Sequence, residues 1–458
     1  MSMQYISTRG TPAAASFEDS LLHGLAPDGG LFVPRAWPNL PGKALPLSYA
    51  DQALAVLEAF GAGRNDRLAR LMARALAGFT HKDTIALRQL DERLFLLELF
   101  HGPSAAFKDL AMQVLAQLLE ALLEARGENL LLLTATSGDT GAAAVQAFKG
   151  SARIRLLVLH PLGRVSPVQR RQMTTCASPN IVNLAVEGDF DACQRLVKAV
   201  LGAARPALGW GWSSVNSINW GRLAGQIPYF LWASERCAGS EPPRFVVPTG
   251  NFGDAFSGWA ARACGGRIGP LLAAVNANDS LARLWADGQL RSRTTIATSS
   301  VSMDVQAPSN LERLVFEAAG RDGAPVRAAF EAFTAKGQAQ LSPAILEELR
   351  RQMGVISLDE AKADAAMHWA YQRFGEILCP HTAVGLAGAL ARDYDGPTIL
   401  LATAHPAKFA PAVQRVLGIA PALPEALAGL EGLPEHVQTC QADAAEITRW
   451  AQQLAQRD

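Results

Sequence analysis

Six short apolar runs, each continuous rather than alternating in polarity, constrain the fold of this 458-residue chain more than any other feature. Uninterrupted hydrophobic runs of this length are typical of strands that are buried on both faces of a sheet. Helix-length segments lie between several of them, including 142–149 and 190–201, and this alternation predicts an α/β fold around largely parallel sheets. The six predicted strands are 129–136, 153–160, 180–186, 244–248, 271–275 and 398–402.

The first 95 residues have a different character. They include a turn-rich stretch, APDGGLFVP at 26–34, and continue with helix-like sequence rich in Ala, Leu and Arg. We therefore expect a separate amino-terminal domain over 1–95 and treat 96–458 as the main body. Early in this main body, leucines at helical spacing predict one long helix over 109–126, which Gly127 is placed to cap.

Composition excludes several classes of protein. Lys+Arg and Asp+Glu both number 42, and 49% of the residues are apolar against 18% charged, so neither a disordered chain nor a nucleic-acid partner is expected. The six cysteines form no CxxC pair, so we expect neither a zinc site nor a disulfide framework, and no metal is predicted. Reduced thiols, the lack of an apolar leader and the lack of about 18 consecutive apolar residues predict a cytoplasmic protein without a membrane partner.

The first motif that could carry chemistry follows the apolar run LLLLTAT. A small, hydroxyl-bearing turn leads from this predicted strand into an alanine-rich helix, so that unpaired backbone N–H groups point at one place. Such a turn suits a carboxylate or a phosphate, and an ordinary strand-to-helix turn is the alternative. The residues of the turn are Ser137, Gly138, Asp139, Thr140 and Gly141.

The same device occurs again after the run VVPT, where a predicted helix over 255–264 follows. The turn is neither a Walker sequence, because no GK[ST] follows, nor a GxGxxG fingerprint. Two such cups in one chain indicate a ligand system with two acidic groups, although each cup alone is a weak signal. The residues of the second turn are Gly250, Asn251, Phe252, Gly253 and Asp254.

A third motif, HGPSAAFKD, places Lys108 between a Gly/Pro/Ser turn and the start of the long helix. The partial positive charge of a helix amino terminus disfavours an ammonium group and lowers its pKa. A neutral amine there suits Schiff-base chemistry, whereas a solvated lysine at a helix start is the alternative. Lys108 is one of eight lysines in the chain.

Taken together, ten motifs in order resemble the threonine synthase family, whose members use pyridoxal phosphate; the spacing is similar to the subgroup with an extended amino-terminal domain. The resemblance implies a two-lobed fold-type-II architecture, as in tryptophan synthase β, with parallel-rich sheets and an amino-terminal α+β domain over 1–95. The catalytic region is then 96–458, with the smaller lobe at roughly 105–200. The motifs are YISTRG, APDGGLFVP, GPSAAFKD, TATSGDTGAA, GRVSPVQRRQMTT, NSINWGR, VPTGNFGD, SMDVQAPSNLER, PHTAVG and TAHPAKF.

The resemblance also implies roles for individual residues. Lys108 matches the lysine that holds pyridoxal phosphate, the turn 250–254 the loop that cradles its phosphate, and Thr403 the hydroxyl that faces its pyridine nitrogen. The turn 137–141 matches the segment that grips the substrate α-carboxylate. Related dehydratases have Asn where this chain has Asp139, so the carboxylate must share a proton or point away. Cys379 stands where Asp is more usual.

The implied reaction converts O-phospho-L-homoserine and water into L-threonine and phosphate, by γ-elimination followed by β-addition of water. Lys108 would remove the α-proton. We assign the leaving phosphate to Asn219 and Arg222 of NSINWGR, with Arg164, Ser166 and Gln169 as second candidates. For His381 and His405, a catalytic part and a buried structural part both remain open.

Two other functions compete with this interpretation. The first is a serine/threonine dehydratase-like β-eliminase, which should lack a second anion pocket. The second is a catalytically silent homologue that binds a phosphorylated metabolite, which the complete AFKD, GNFGD and TAH set argues against. The expected partner is a small-molecule substrate, and the sequence leaves open whether the protein is a monomer or a homodimer.

Overall fold

A computed structural model describes residues 3–11, 14–40, 47–63, 65–202, 209–237, 239 and 241–457. Within these ranges the strands are β1 Tyr5–Ser7, β2 Phe32–Pro34, β3 Ala86–Gln89, β4 Leu94–Glu98, β5 Leu130–Ala135, β6 Ile154–Pro161, β7 Ile181–Val186, β8 Gly211–Ser214, β9 Arg244–Pro248, β10 Leu271–Val275, β11 Gln289–Arg291, β12 Gln338–Gln340, β13 Gly354–Ser357, β14 Thr398–Ala402 and β15 Gln438–Cys440.

The helices of the same ranges are α1 Phe17–His23, α2 Tyr49–Leu57, α3 Asp66–Leu76, α4 Lys108–Arg126, α5 Asp139–Phe148, α6 Pro167–Thr174, α7 Phe190–Gly202, α8 Trp220–Ala224, α9 Ile227–Arg236, α10 Gly253–Ala263, α11 Ser280–Asp287, α12 Leu311–Ala318, α13 Gly323–Lys336, α14 Pro343–Gln352, α15 Glu360–Phe374, α16 Pro380–Leu390, α17 Ala410–Leu417 and α18 Ala444–Ala455. Short 3₁₀ turns lie at Val301–Met303, Pro406–Phe409 and Glu425–Leu427, and a π-helical turn at Glu58–Ala62 extends α2.

Two parallel-rich sheets organise the main body. The larger has the order β13-β10-β9-β14-β4-β3, in which every pair is parallel except β3 with β4. The smaller has the order β15-β7-β6-β5-β8 and is parallel throughout. All six predicted strands lie in these sheets, so the predicted α/β fold is confirmed.

Burial on both faces explains why the sequence runs are continuous. Every residue of β5, β7, β9, β10 and β14 is buried, because helices cover both sides of each sheet. The predicted long helix is confirmed as α4, and Gly127 ends it in the left-handed conformation with φ 66°. A bilayer-spanning helix of sufficient length and hydrophobicity is not present in the ranges described above.

The amino-terminal part packs directly behind the main body. Its strands β1 and β2 pair antiparallel, and its aromatic side chains meet α8, with ring centroids of Tyr5 and Trp220 5.6 Å apart and of Phe60 and Trp220 5.3 Å apart. The expected boundary at residue 95 falls inside β4, whose neighbour β3 also joins the larger sheet. The domain limits, including those of the smaller lobe, therefore stay predictions.

Candidate active site

Ten of the fourteen predicted site residues line one cavity at the carboxyl ends of the parallel strands, where the turns after β5, β9 and β14 converge. This is the usual place for a ligand in an open α/β sheet. Gly138, Gly141, Phe252 and Asn219 do not line it. The ten that do are Lys108, Ser137, Asp139, Thr140, Arg222, Gly250, Asn251, Gly253, Asp254 and Thr403.

Lys108 is the first residue of α4 and projects into this cavity. The residue before it is fixed by the larger sheet, because the Phe107 amide donates to the Thr403 carbonyl over 2.8 Å. The Nζ atom of Lys108 lies 3.4 Å from Oδ2 of Asp139. Burial lowers the pKa of the Lys108 amine, and the Asp139 carboxylate opposes this change. The arrangement can therefore present an unprotonated amine to a ligand.

The turn before α10 forms an open cup of backbone amides. Phe252 adopts the left-handed conformation with φ 64° and turns its side chain into the core, where the ring lies 6.2 Å from that of Trp285. The amides of Gly250, Asn251 and Phe252 have no acceptor in the described part of the chain. Unpaired amides at the start of an eleven-residue helix fit a phosphate dianion.

Neighbouring side chains hold this cup in shape. The backbone amide and side-chain amide of Asn310 both donate to the Asn251 carbonyl, over 3.1 and 3.2 Å. The Asp254 carboxylate accepts from the Thr249 hydroxyl and from the Ala255 amide, while burial raises its pKa. The Oδ1 atom of Asn251 is buried and has no hydrogen-bond partner among the described residues, as expected of a group that meets a ligand.

The second cup lies at the start of α5. The Thr136 hydroxyl accepts from the amides of Gly138 and Gly141, over 2.9 and 2.8 Å, and so consumes two of the donors in this turn. These two glycines shape the turn rather than face the cavity: a Cβ on Gly138 would lie 2.3 Å from the Gln169 side chain. Ser137, Asp139 and Thr140 are left to line the cavity.

Asp139 is held against the wall of the cavity by four side chains. Its Oδ1 accepts from Lys408 Nζ over 2.8 Å and from Gln169 Nε2 over 2.9 Å. Its Oδ2 accepts from Ser302 Oγ over 3.2 Å and faces Lys108. Burial would raise the pKa of Asp139, but Lys408, first, and Lys108 beside it lower this pKa well below its ordinary value. Asp139 is therefore a carboxylate with a fixed orientation.

The predicted phosphate pair, Asn219 with Arg222, is separated by the structure. Asn219 caps α8: its Nδ2 donates to the Leu21 carbonyl over 2.7 Å and to the Ser214 carbonyl over 3.3 Å, and its Oδ1 accepts from the Gly221 amide. Its side-chain amide has no spare donor for a ligand, and Asn219 does not line the cavity, so its predicted contact with the leaving phosphate stays a prediction without support from this geometry.

Arg222 does line the cavity. Its Nη1 donates to the Val215 carbonyl over 2.8 Å, and its buried Nε has no acceptor in the part of the chain that the structure describes. Burial lowers the pKa of Arg222 to about 10, which leaves the guanidinium charged at neutral pH. Arg222 therefore brings a positive charge to the wall of the cavity, which favours an anion there.

The second candidates for the phosphate lie beside the cavity. Arg164 lines a recess that shares Ser137 and Phe190 with it. Ser166 caps α6 and donates to the Lys408 carbonyl. Gln169 donates its Nε2 hydrogen to Asp139, so both side chains are engaged in contacts within the protein. Only the guanidinium of Arg164 is left to act on an anion.

The two histidines have different places. His381 lines the cavity, where its Nε2 accepts from the Ser302 amide over 3.0 Å, and burial lowers its pKa to about 4. His405 does not line it: its Nδ1 accepts from the Ala407 amide and caps the turn Pro406–Phe409. Cys379 likewise caps α16, its sulfur accepting from the Thr382 amide.

Sequence reasoning missed several residues of the site. Ser302 and Asn310 belong to SMDVQAPSNLER, and Lys408 belongs to TAHPAKF, so each lies in a recognised motif without having been assigned a role. Their functions depend on contacts with residues 59 to 269 positions away, which no local spacing could show. Within the described ranges, no group of three His, Cys, Asp or Glu side chains could hold a metal ion.

Comparison with known proteins agrees with this geometry. The family profile described as "Threonine synthase N terminus" matches residues 4–76, "Pyridoxal-phosphate dependent enzyme" matches 82–341, and "Threonine synthase, C-terminal" matches 382–450. The chain is 39% identical to the threonine synthase of Pseudomonas aeruginosa over 99% of both chains. The three profile matches together extend from residue 4 to residue 450, with gaps at 77–81 and 342–381.

Solved structures give the same result. The threonine synthase of Brucella melitensis, determined with bound pyridoxal phosphate, superposes with a TM-score of 0.92 at 39% identity over all of both chains. The yeast threonine synthase superposes with a TM-score of 0.89 at 33% identity over 99% of both. The predicted two-lobed fold-type-II architecture and the predicted pyridoxal phosphate cofactor are confirmed.

Proposed function

This chain belongs to the threonine synthase family and uses pyridoxal phosphate, and from this premise we propose that it converts O-phospho-L-homoserine and water into L-threonine and phosphate. The observation that carries the choice of substrate is the Arg222 guanidinium, which shares one cavity with Lys108 and with two backbone cups. Three anion-binding elements match a cofactor phosphate, a substrate carboxylate and a substrate phosphate.

The residues of the cavity fit the cofactor. The amide cup of Gly250 to Gly253 would hold its phosphate, Lys108 Nζ its aldehyde carbon, and Thr403 would lie at its pyridine side. When bound, the cofactor withdraws electrons from the substrate α-carbon and so stabilises a negative charge there. A neutral hydroxyl such as that of Thr403 cannot protonate the pyridine nitrogen as a carboxylic acid could.

Lys108 would act as the general base. Burial lowers the pKa of the Lys108 amine and so favours its unprotonated form, which can accept the proton of the substrate α-carbon. The first turn of α5, with Ser137 and Thr140, would bind the substrate α-carboxylate through backbone amides and hydroxyl groups. The α-carbon would then lie between the carboxylate cup and the amine.

The phosphate end of the substrate is proposed to reach a guanidinium. Arg222 lines the cavity, and its buried Nε has no hydrogen-bond partner among the described residues. Arg164 borders the adjoining recess. Loss of phosphate from the γ-carbon requires charge stabilisation at this end, which an enzyme for unphosphorylated amino acids does not need. A β-eliminase is therefore the less suitable interpretation.

Turnover with purified protein tests the proposal. The cofactor-loaded protein is incubated with O-phospho-L-homoserine, and threonine and inorganic phosphate are measured together; we expect equal amounts of both. L-serine and L-threonine are supplied in parallel, and release of 2-oxo acid from them would favour a β-eliminase. No product from any substrate would favour a silent homologue.

Two arginine variants locate the phosphate. Losing a charged hydrogen bond costs roughly 1.5–3 kcal/mol, so we expect Arg222→Ala or Arg164→Ala to lower kcat/KM about ten- to a hundredfold. The affected variant should also lose competitive inhibition by inorganic phosphate while it keeps the visible absorption of the bound cofactor. If both variants keep normal phosphate inhibition, the phosphate lies elsewhere.

We also propose that the protein is cytoplasmic and that it is either a monomer or a homodimer.

A further inference from the structure

Lys408 is a fully buried lysine outside the set of residues that the reaction uses. It lies in the short turn Pro406–Phe409, with none of its side chain exposed. Its Nζ donates to Asp139 Oδ1 over 2.8 Å and to the Ser104 carbonyl over 2.7 Å. Burying an ammonium group costs free energy unless the group is paired, so a fully buried lysine indicates a specific interaction.

The charge around Asp139 explains that interaction. Two lysines, Lys108 and Lys408, contact this one carboxylate, which can compensate only one of two ammonium charges. Asp109 on α4 also faces Lys408, and burial raises the pKa of its carboxyl group to about 6. Lys108 makes the weaker of the two contacts with Asp139, since the distance is 3.4 Å and 15% of the Lys108 side chain is exposed to the cavity. Lys408 has two shorter contacts and no exposure, so Lys108 is the lysine that gives up its proton.

Other charged groups face Lys108 from every side. Arg222 on α8 adds a further positive charge, while Asp254 on α10 adds a negative charge that is shielded by donors from Thr249 and Ala255. His381 on α16 is neutral at physiological pH. The pKa of the Lys108 amine is lowered, in agreement with this arrangement of charges.

We propose that Lys408 is a positioning residue. Its ammonium group pairs with the Asp139 carboxylate, so that no full negative charge is left to stabilise an ammonium group on Lys108, and the Lys108 amine stays in its neutral, reactive form. A lysine next to a second cation is a known way to obtain a nucleophilic amine. The inference rests on the proposed role of Lys108, but it concerns the protonation of the protein without cofactor and can be tested there. A failure of turnover and a failure of this inference are therefore distinguishable.

The test measures the amine of Lys108 directly. Protein without cofactor is treated with trace amounts of acetic anhydride over a range of pH, and acetylation of the Lys108 peptide is followed by mass spectrometry. Only the unprotonated amine reacts. In the wild-type protein we expect Lys108 to react at a lower pH than the exposed Lys362, which serves as an internal standard. A midpoint for Lys108 equal to or above that of Lys362 would overturn the proposal.

Variants then isolate Lys408. In Lys408→Gln, Asp139 is left to pair with Lys108 alone, so the midpoint of Lys108 acetylation should rise by about one pH unit, a roughly tenfold loss of reactivity at a fixed lower pH. Lys408→Arg restores the cation and should restore the midpoint. Lys82→Gln, at another exposed lysine, is the matched control and should leave the midpoint of Lys108 unchanged.

A purely structural role makes a different prediction. If Lys408 only joins Ser104 to α5, a Lys408→Gln protein with native circular dichroism should keep the wild-type midpoint at Lys108, and this result would contradict the proposal. If Lys408→Gln does not fold, two other measurements test the proposal. The first is whether Lys108 has a lower acetylation midpoint than Lys362 in the wild-type protein, and the second is the midpoint of Lys108 in Lys408→Arg. A Lys408→Arg midpoint raised to that of Lys362 would equally contradict it.

Discussion

The amide of Phe107 donates a hydrogen bond to the carbonyl of Thr403 over 2.8 Å, and this contact fixes Lys108 to the end of β14. A bridge between Ala106 and Ala404 lies beside it. The motifs GPSAAFKD and TAHPAKF, almost 300 residues apart in sequence, therefore form one unit. The position of the Lys108 amine depends on the larger sheet as much as on its own helix.

Replacement of Lys108 by Ala should abolish threonine formation. A positioned general base contributes about 10²–10⁴-fold to a rate, and Lys108 is also the proposed attachment point of the cofactor. We expect at least that loss in kcat, together with loss of the cofactor linkage that borohydride reduces. Lys362→Ala, at an exposed site, is the control. Retention of both the linkage and threonine formation in Lys108→Ala would disprove the assignment.

Replacement of Gly253 by Val should weaken cofactor binding. A Cβ at Gly253 would lie 3.2 Å from Ser217 Cβ and 3.3 Å from Asn310 Nδ2, so a branched side chain would push the amide cup out of shape. We expect the Kd of pyridoxal phosphate to rise about tenfold or more, since charged hydrogen bonds contribute roughly 1.5–3 kcal/mol each. Fluorescence titration of the protein without cofactor measures this.

The control for that variant is Gly202→Val. A Cβ at Gly202 meets no atom of the described residues within 4 Å, so this substitution adds the same side chain without a clash among them. Its Kd for pyridoxal phosphate should match that of the wild type. If the Gly253 variant also binds with unchanged affinity, the cofactor phosphate is not held by this turn.

Asn219→Ala should reduce stability rather than substrate binding. The side chain caps α8 and fixes it to the Leu21 and Ser214 carbonyls, so its removal leaves buried groups unpaired. We expect the free energy of unfolding to fall by about 1–3 kcal/mol, measured by urea denaturation. The KM for O-phospho-L-homoserine should stay close to the wild-type value. A large rise in KM at unchanged stability would return Asn219 to the phosphate site.

The strands could be predicted from sequence because each carries its own signal. A run such as LLLLTA is apolar on both faces only if helices cover both sides of the sheet, and β5 is buried at every residue. The end of α4 was equally local, since Gly127 supplies the left-handed cap. These features need no knowledge of which segments meet.

The details of the site could not be predicted in the same way. Asn219 and Arg222 are three residues apart and were both assigned to the leaving phosphate, but Asn219 precedes the helix and its side chain turns back to cap it. The orientation of Asp139 depends on Lys408, which is 269 positions away. Sequence predicted the turns and the chemistry of their residues, whereas long-range contacts decide which side chains are free.

His381 should make the protein less stable in mild acid. Burial lowers its pKa to about 4, well below the ordinary value of about 6.5. Between these values the unfolded chain binds a proton that the folded protein does not, so the free energy of unfolding falls as the pH falls. The full contribution of the neutral His381 is present above about pH 6.5 and is lost as the pH falls to about 4, for a total of about 3 kcal/mol.

The variant His381→Gln removes this proton-linked effect while it keeps an acceptor for the Ser302 amide. Urea unfolding of the protein without cofactor, at about pH 7.5 and about pH 4.5, gives the loss of stability for each protein. His405, whose pKa burial also lowers to about 4, is present in both proteins and cancels in the comparison. We expect a smaller loss in the variant; an equal loss in both would show that His381 takes up its proton in the folded protein at its ordinary pKa.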